Sequence, residues 1–163
     1  MNSEFRVDTS KQEYVTGIET RLKYLEDCAS LRDLITIYCT AVDSLSDVDT
    51  VVNCFAKDAV FDLTGIGSQK FRGHSEIRSF FVKGFADMKS SAHFITNYRT
   101  VELNGDRAIA SAYVMAVGEA HTGPDMMLHV RYAVSYERSG KDWKFCSLVE
   151  ELLSPTARLA GKR

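Results

Sequence analysis

The chain contains 163 residues with a formal net charge of -2; hydrophobic residues make up 45% of it and charged residues 26%. This length suits a single domain that buries about two-thirds of its unfolded surface. Because the charge is nearly balanced, no strong field is available to hold a polyanion, and we do not expect nucleic acid as a partner. Apolar runs are far shorter than the roughly 20 residues of a membrane-spanning helix, and the polar first residues lack a secretory signal. We therefore expect a cytoplasmic protein without membrane contact.

The four cysteines do not have the pattern of a metal site. Cys28, Cys39, Cys54 and Cys146 show neither a Cys-x-x-Cys spacing nor a nearby pair of histidines. Three of them lie within apolar periodic segments, which favours free thiols that pack as small hydrophobic side chains. We expect no metal.

The first part of the chain has the periodicity of amphipathic helices. Between residues 14 and 44, apolar residues recur at three- and four-residue steps: Ile18, Leu22, Leu25, Leu31, Leu34, Ile35, Tyr38, Cys39 and Val42. Ser30, followed by Asp33, resembles an N-cap. We therefore predict a short first helix and a second one that starts near Ala29 and ends around Asp43. Another short helix is predicted to start at residues 47–54, to run into Phe55 and Ala56 and to end at residues 57–58.

A hairpin and a third helix follow. Residues 59–63 alternate in polarity, and Gly65-Ile66-Gly67 supplies turn residues before the second short strand at residues 69–72. Apolar residues then recur at helical spacing, with Ser75 as the predicted N-cap of the helix.

The remainder of the chain has the pattern of long strands. Four segments rich in β-branched and aromatic residues cover residues 92–103, 108–120, 126–137 and 143–152, and glycine-containing turns separate them. Helices followed by an antiparallel meander are typical of an α+β domain with its helices on one face of the sheet. We place this domain at residues 14–153, between a flexible segment at 1–13 and a short tail at 154–163.

The sequence leaves open which face of the last strand points inward. In strict alternation, Phe145, Ser147 and Val149 share one face, and Leu148, Glu150 and Leu152 share the other. A long sheet curves, and helices on its concave side would enclose a cavity. We expect a largely apolar pocket there.

Asp43 and His93 are the polar pair best suited to chemistry in such a pocket. Asp43 ends an apolar helix, where the helix dipole and burial both raise a carboxyl pKa unless a cation or donor answers it. His93 begins a strand between apolar neighbours, and a histidine opposite a carboxylate makes an oriented general base. The alternatives are a solvated helix end for Asp43 and a surface or packed core residue for His93.

Glu150 and three tyrosines are further candidates. If it is buried, Glu150 is a second acid; at an exposed edge it is an ordinary charged residue beside Glu151, and position alone favours the exposed case. Tyr38, Tyr113 and Tyr132 could each donate a phenolic hydrogen bond to a substrate oxygen, although buried core tyrosines are commoner.

Taken together, these segments resemble the SnoaL-like branch of the nuclear transport factor 2-like superfamily. The matching segments are Leu34-Ile35-Thr36-Ile37-Tyr38 leading to Asp43, residues 54–62, Gly73-His74-Ser75-Glu76-Ile77, Ser91-Ala92-His93-Phe94, and Asp142-Trp143-Lys144-Phe145. Their order and spacing, more than any one motif, carry the resemblance, which runs from about Ala29 to Leu152.

The resemblance implies a cone-shaped α+β barrel, in which a strongly curved, mixed but mainly antiparallel sheet wraps around helices. In lyases of this family a histidine base is oriented by an aspartate, and these positions fall on His93 and Asp43. The chemistry usually needs neither metal nor organic cofactor, so we expect none. The resemblance also implies a substrate pocket lined by Tyr38, Tyr132, Glu150, Val114, Ala116, Leu128, Leu148 and Met88.

Departures from the family patterns restrict the activity. A lysine and an arginine of the family's dehydrochlorinases fall on Tyr38 and Leu148, so halide elimination is not expected. A tyrosine of its dehydratases falls on Val42, and their second histidine aligns near Gly118, so that particular dehydration is not expected either. The hypothesis is a cofactor-independent, dehydratase-type lyase that abstracts a proton from a small, hydrophobic, cyclic or polyketide-like substrate.

Two alternatives remain open. One is an isomerase or cyclase of the same fold, and the other is a non-catalytic module that only binds a small ligand. Contact between Asp43 and His93 would favour an enzyme, whereas separation, or a His93 that is sealed with no cavity beside it, would favour the binding module. The family resemblance also predicts a homo-oligomer, a dimer or trimer formed through the outer face of the sheet.

Overall fold

The computed structural model describes residues 17–153, which form three helices and one six-stranded sheet. The elements are α1 (Ile18–Asp43), α2 (Val48–Asn53), β1 (Phe55–Gly65), β2 (Lys70–Arg72), α3 (Gly73–Asp87), β3 (Met88–Asn104), β4 (Arg107–Ala120), β5 (Met126–Ser139) and β6 (Asp142–Leu152). The predicted segments at 1–13 and 154–163 lie outside the described residues. None of these three helices is long and apolar enough to cross a membrane.

The sheet is mixed, with the strand order β2-β1-β6-β5-β4-β3. Strands β3 to β6 form the predicted antiparallel meander, and β1 joins β6 in parallel while pairing with β2 as an antiparallel hairpin. Helix α1 packs against β3 and β6, and α3 packs against β1. The predicted α+β cone is confirmed, although the sheet stays open because β2 and β3 are unjoined edges.

Helix α1 is one continuous helix of 26 residues, so the predicted break near Ala29 is wrong. The Ser30 hydroxyl donates to the carbonyl of Glu26, four residues earlier, at 2.9 Å. A serine that satisfies its hydroxyl in this way stays inside a helix instead of capping one. The predicted end of the helix at Asp43 is confirmed.

A buried carboxylate fixes the N-terminal half of α1 to the sheet. Asp27 accepts hydrogen bonds from Arg138 at 2.7 Å and from the Trp143 indole at 3.3 Å. The Arg138 guanidinium also lies 4.2 Å from the centre of the Trp143 ring. Because Asp27 is paired on both sides, its burial is not left uncompensated.

Helix α3 begins two residues before the predicted N-cap at Ser75. Its N-cap is Arg72, whose side chain makes no capping bond. Instead, the Glu76 carboxylate accepts a hydrogen bond from the Arg72 backbone N–H at 2.8 Å, which satisfies one of the donors at the helix start.

A β-bulge in β6 overturns the strict alternation predicted for that strand. Tyr136 pairs with Phe145 and Ser135 pairs with Ser147, so Cys146 is the extra residue. Phe145 therefore points into the core together with Leu148 and is not on the face of Ser147. Downstream of the bulge, Leu148 and Glu150 face inward, while Leu152 at the strand end is 40% exposed.

An aromatic cluster joins α1 to the inner face of the sheet. The Tyr38 ring contacts Phe55, Phe81 and Phe145 edge to face, with centroid separations of 5.7, 6.1 and 5.6 Å. Large buried rings of this kind dominate core energetics, and edge-to-face contact adds to area burial. The cluster sets the position of α1 and therefore of Asp43, which lies little more than one turn beyond Tyr38.

The outer face of the sheet carries both apolar and charged groups. Phe94, Tyr113 and Met115 are exposed on neighbouring positions of β3 and β4. Arg131 and Glu151 pair across β5 and β6 on the same face. The homo-oligomer expected to form through this face stays a prediction.

Gly65 allows β1 to approach β6 closely. A Cβ atom at this position would lie 2.4 Å from the carbonyl oxygen of Glu150 and 3.1 Å from the Cα of Glu151. Backbone atoms cannot move aside as a flexible side chain can. The Gly65-Ile66-Gly67 turn therefore also fixes where the end of β6 lies.

Replacing Gly65 with alanine should destabilise the fold, because the new methyl group overlaps backbone atoms; about 1–3 kcal/mol is expected from overpacking. Gly84→Ala is the matched control. Its Cβ would meet nothing within 4 Å on α3, and a helical alanine should add about 0.5–1 kcal/mol. Urea unfolding of both variants measures the difference, and equal stabilities would contradict the close approach.

Candidate active site

Asp43 and His93 meet where the C-terminal end of α1 packs on β3. The Asp43 Oδ1 atom lies 2.6 Å from His93 Nδ1, and Oδ2 accepts a hydrogen bond from the His93 backbone N–H at 2.9 Å. The His93 side chain is only 8% exposed. The structure thus brings together the two residues that the sequence analysis placed in one site.

Ser91 is a third member of this arrangement, and the sequence analysis missed it. Its hydroxyl donates to Asp43 Oδ1 at 3.0 Å. Ser91 and His93 are two residues apart on one strand, so their side chains share a face. The two-residue period of the strand was the available signal, because a residue two positions from His93 faces the same carboxylate.

The charge of Asp43 is stabilised by these donors. Burial raises the pKa of its carboxyl group, but hydrogen bonds from the ring and backbone of His93 and from Ser91 lower the pKa more, so that it lies below its usual range. The sequence predicted a raised pKa unless a cation or a hydrogen-bond donor stabilised the charge. Three hydrogen-bond donors stabilise it.

The ionised carboxylate determines which ring nitrogen of His93 carries the proton. A carboxylate only accepts hydrogen bonds, so Nδ1 must be the protonated nitrogen in the neutral ring. Nε2 forms no hydrogen bond with any of residues 17–153. It is therefore the basic nitrogen available to a bound molecule.

Glu150 is buried on the inner face of β6 at 7% exposure, in the inward direction that the family resemblance implied and not at the exposed edge that its position alone favoured. It pairs directly across the sheet with Tyr132 of β5. Burial raises the pKa of Glu150 to about 7, although His93 and the Tyr132 hydroxyl both act to lower it. Glu150 shares the inner face of β6 with Leu148, and β1 approaches its backbone closely at Gly65.

Tyr38 and Tyr132 line the same interior, on α1 and β5 respectively, and both are almost fully buried. Burial, followed by the nearby Glu150 carboxyl, raises the pKa of each phenol well above its ordinary value. Both hydroxyls therefore remain protonated donors. Tyr113, also considered from the sequence, is 41% exposed on the outer face and does not join them.

The apolar residues predicted to line the pocket lie on the inner face of the sheet. Val114, Ala116 and Leu148 are buried, and Leu128 is half-buried. Ala116 lies directly beside His93 in the β3–β4 pairing and beside Leu128 in the β4–β5 pairing. Their methyl groups form an apolar surface next to the histidine.

Met88 lies at the junction of α3 and β3, over the inner side of Gly118. A Cβ atom on Gly118 would be 2.3 Å from the Met88 methyl carbon and 3.6 Å from that of Met126. Gly118 is the cross-strand partner of Ser91. Two adaptable thioether side chains therefore cover the sheet next to the residues that hold Asp43.

Two grooves on the surface are separate from this site. One of about 590 Å³ lies between β2 and α3, and another of about 370 Å³ lies between α1, α2 and the β5–β6 turn. Neither includes Asp43 or His93. The four cysteines are free thiols, and residues 17–153 contain no group of three side chains suited to hold a metal ion.

The sequence and the fold both identify relatives. Residues 23–149 match the family model of the SnoaL-like domain. The chain belongs to the SnoaL-like family. No curated protein sequence matches the chain.

Solved structures agree with this family assignment. A candidate aromatic ring hydroxylase from Novosphingobium aromaticivorans shares 38% identity, with a TM-score of 0.79 over 85% of this chain and 94% of that one. A candidate scytalone dehydratase from the same organism shares 14% identity, with a TM-score of 0.75 over 86% and 95% of the two chains. The type 2 hexachlorocyclohexane dehydrochlorinase LinA shares 19% identity, with a TM-score of 0.73 over 88% and 97%. The last two, at under 25% identity, show that this SnoaL-like protein shares their fold.

Replacing Glu150 with glutamine should change how stability depends on pH. The pKa of Glu150 is raised from 4.5 to about 7 in the folded state, so its favourable neutral form is lost as pH rises through that interval. Glutamine does not titrate. The free energy of unfolding of Glu150→Gln should therefore rise, relative to that of the wild type, by up to about 3 kcal/mol between about pH 4 and pH 8.

Urea unfolding across that pH range measures this difference. Glu151→Gln, on the outer face of the same strand, is the matched control and should show no such gain. Parallel stability curves for wild type and Glu150→Gln would show that the buried carboxyl group is not held neutral.

Proposed function

We propose that the protein is a cofactor-independent lyase of the dehydratase type that acts on a small, hydrophobic, ring-containing substrate. The observation that carries this proposal is the 2.6 Å contact between Asp43 and His93, which leaves Nε2 of the ring unpaired. A dehydratase needs such a base to remove a C–H proton next to a carbonyl group. The contact also favours an enzyme over a module that only binds a ligand.

In this proposal His93 Nε2 takes the proton from the carbon next to the carbonyl group. The Asp43 carboxylate holds the Nδ1–H and stabilises the imidazolium that forms, as a charge-assisted hydrogen bond does. Ser91 and the His93 backbone N–H keep the carboxylate in place. The general base receives its orientation from residues on two different elements.

A phenol is proposed to stabilise the enolate oxygen that develops on the substrate. Tyr38 and Tyr132 both keep their protons because burial raises their pKa values. A preorganised donor in an apolar interior stabilises a developing negative charge more strongly than the same donor does in water. Tyr132 lies nearer the Glu150 end of the sheet, whereas Tyr38 lies on the same helix as Asp43.

The proposed substrate class rests on the apolar lining and on the relatives. Val114, Ala116, Leu128, Leu148 and Met88 present hydrocarbon or thioether surface to the interior. The similar structures are named for an aromatic ring and for hexachlorocyclohexane, which are both rings. Because Tyr38 and Leu148 replace the charged residues expected for halide elimination, loss of water is proposed instead of loss of chloride.

An isomerase is the second candidate, and one observation favours it. Glu150 is a buried carboxyl group that could return the abstracted proton to a different carbon. A homo-oligomer, either dimer or trimer, remains part of the proposal on family grounds.

Loss of the base should abolish proton abstraction. With 1-tetralone in D₂O, the protein should exchange the protons next to the carbonyl, followed by proton NMR. His93→Ala and Asp43→Asn should each slow this exchange by about 10²–10⁴-fold, because general base catalysis typically contributes that much. His93→Gln provides a bulkier replacement if the alanine variant is unstable.

His129→Ala is the control, since this histidine is exposed on the outer face of β5 and should leave exchange unchanged. Circular dichroism and thermal unfolding establish that each variant is folded. Wild-type exchange in a folded Asp43 or His93 variant, or no exchange by the wild-type protein, would overturn the proposed function.

A further inference from the structure

We infer that Glu150 is the general acid of this site and that it delivers the proton that converts the departing hydroxyl group into water. The inference rests on the proposed dehydratase function and assigns the protonation of the leaving oxygen to a carboxyl group other than the Asp43–His93 pair. Proton abstraction and protonation of the leaving oxygen then use two different groups.

The position of Glu150 supports this role. It lies on the inner face of β6, 7% exposed, directly across from Tyr132. Within residues 17–153 it forms no ion pair with lysine or arginine. A carboxylate without a cationic partner is costly to bury, and the hydrogen bond from Tyr132 offsets only part of that cost, so burial favours the protonated carboxyl group.

The groups that face Glu150 leave that proton available. Its charge would interact with Tyr38 and Cys39 of α1, His93 of β3 and Tyr132 of β5. The two phenols and the thiol stay neutral, because burial raises their pKa values. His93 is the single group among them that gains a positive charge during the reaction.

Asp43 and Glu150 show how two carboxyl groups acquire opposite roles. Asp43 has three hydrogen-bond donors and a lowered pKa, whereas burial raises the pKa of Glu150 to about 7. Pairs of titratable groups whose surroundings separate their pKa values commonly supply an acid and a base. Asp43 therefore supports the base, and Glu150 carries the acidic proton.

Gly65 gives the acid its position. The parallel pairing of β1 with β6 places Gly65 against the backbone of Glu150, where a Cβ atom would come within 2.4 Å of the Glu150 carbonyl oxygen. The Gly65-Ile66-Gly67 motif is thus a structural support for the proposed acid in addition to a turn.

The reaction balances without an added reagent. His93 Nε2 takes the proton from the carbon, and the electron pair of that bond is held in the enolate. That pair then forms the C=C bond as the C–O bond breaks. The Glu150 proton joins the departing hydroxyl to give water. The imidazolium and the Glu150 carboxylate then return to their starting forms by net transfer of one proton through solvent.

Two reactions of related ketones separate this inference from the proposed function. Exchange of 1-tetralone needs only the base, whereas conversion of 3-hydroxy-1-tetralone to fluorescent 1-naphthol also needs protonation of the leaving oxygen. Glu150→Gln should lower the ratio of elimination to exchange by about 10²-fold. His93→Ala should suppress both reactions together.

Two further variants refine the test. Glu150→Asp retains an acid and should restore part of the elimination rate that glutamine removes. Glu151→Gln, which lies on the opposite face of the strand, should leave the ratio at the wild-type value. The wild-type elimination rate should fall as pH rises through about 7, where Glu150 loses its proton, and this fall should be absent in Glu150→Gln.

The outcomes are distinguishable. No exchange by the wild type overturns the proposed function itself. Exchange without elimination by the wild type overturns the dehydratase activity together with the role of Glu150, whereas an unchanged ratio in folded Glu150→Gln overturns the role of Glu150 alone. Infrared spectroscopy in D₂O gives a check without substrate, because a protonated carboxyl band present in wild type and Glu151→Gln must disappear in Glu150→Gln.

Discussion

The arrangement of the candidate site depends on the contact between a carboxylate at the end of α1 and a histidine near the start of β3. Asp43 uses both of its oxygens on β3, where it meets the His93 ring and backbone and the Ser91 hydroxyl. These bonds join the helix to an edge strand of the sheet. They also fix the ring orientation and the tautomer of the histidine, so one interaction has both a structural and a chemical consequence.

The position of that contact follows from packing elsewhere. Tyr38 lies among Phe55, Phe81 and Phe145, and Asp27 fixes the other half of α1 through Arg138 and Trp143. With the helix held at two places, its C-terminus has little freedom. Residues at functional sites need such support, because errors of about 0.5 Å already weaken a catalytic arrangement.

The apolar interior gives the polar groups their character. A carboxyl group without donors is more stable protonated there, while one with several donors is more stable ionised. Glu150 and Asp43 illustrate these two cases within one cone. In the proposed mechanism, the fold therefore holds an acid and a base together at neutral pH.

Much of this arrangement could be predicted from the sequence. Strand periodicity indicated the meander, and the family resemblance placed His93 opposite Asp43 correctly. The helix break at Ser30 was wrong because a serine hydroxyl can bond within a helix as readily as cap one. The inward direction of Phe145 was missed because a bulge at Cys146 depends on the partner strand and leaves no mark in period-two alternation.

Other features depended on contacts between distant segments. Ser91 acquired its role only once α1 placed Asp43 beside it. Glu150 lies between two neighbouring strands, opposite Tyr132 of β5 and beside Gly65 of β1, which comes about 85 positions earlier in the chain. Patterns within one strand could not reveal either, since each requires knowledge of the neighbouring strand.

Asp43 fixes His93 with its proton on Nδ1 and leaves Nε2 basic. Nitrogen-15 NMR of the histidine-labelled protein tests this directly, with the His93→Gln variant used to assign the signal among the four histidines. We expect neutral His93 to be protonated on Nδ1 in the wild-type protein and Asp43→Asn to let the Nε2-protonated form appear. A wild-type ring protonated on Nε2, or a tautomer that does not respond to Asp43→Asn, would contradict it.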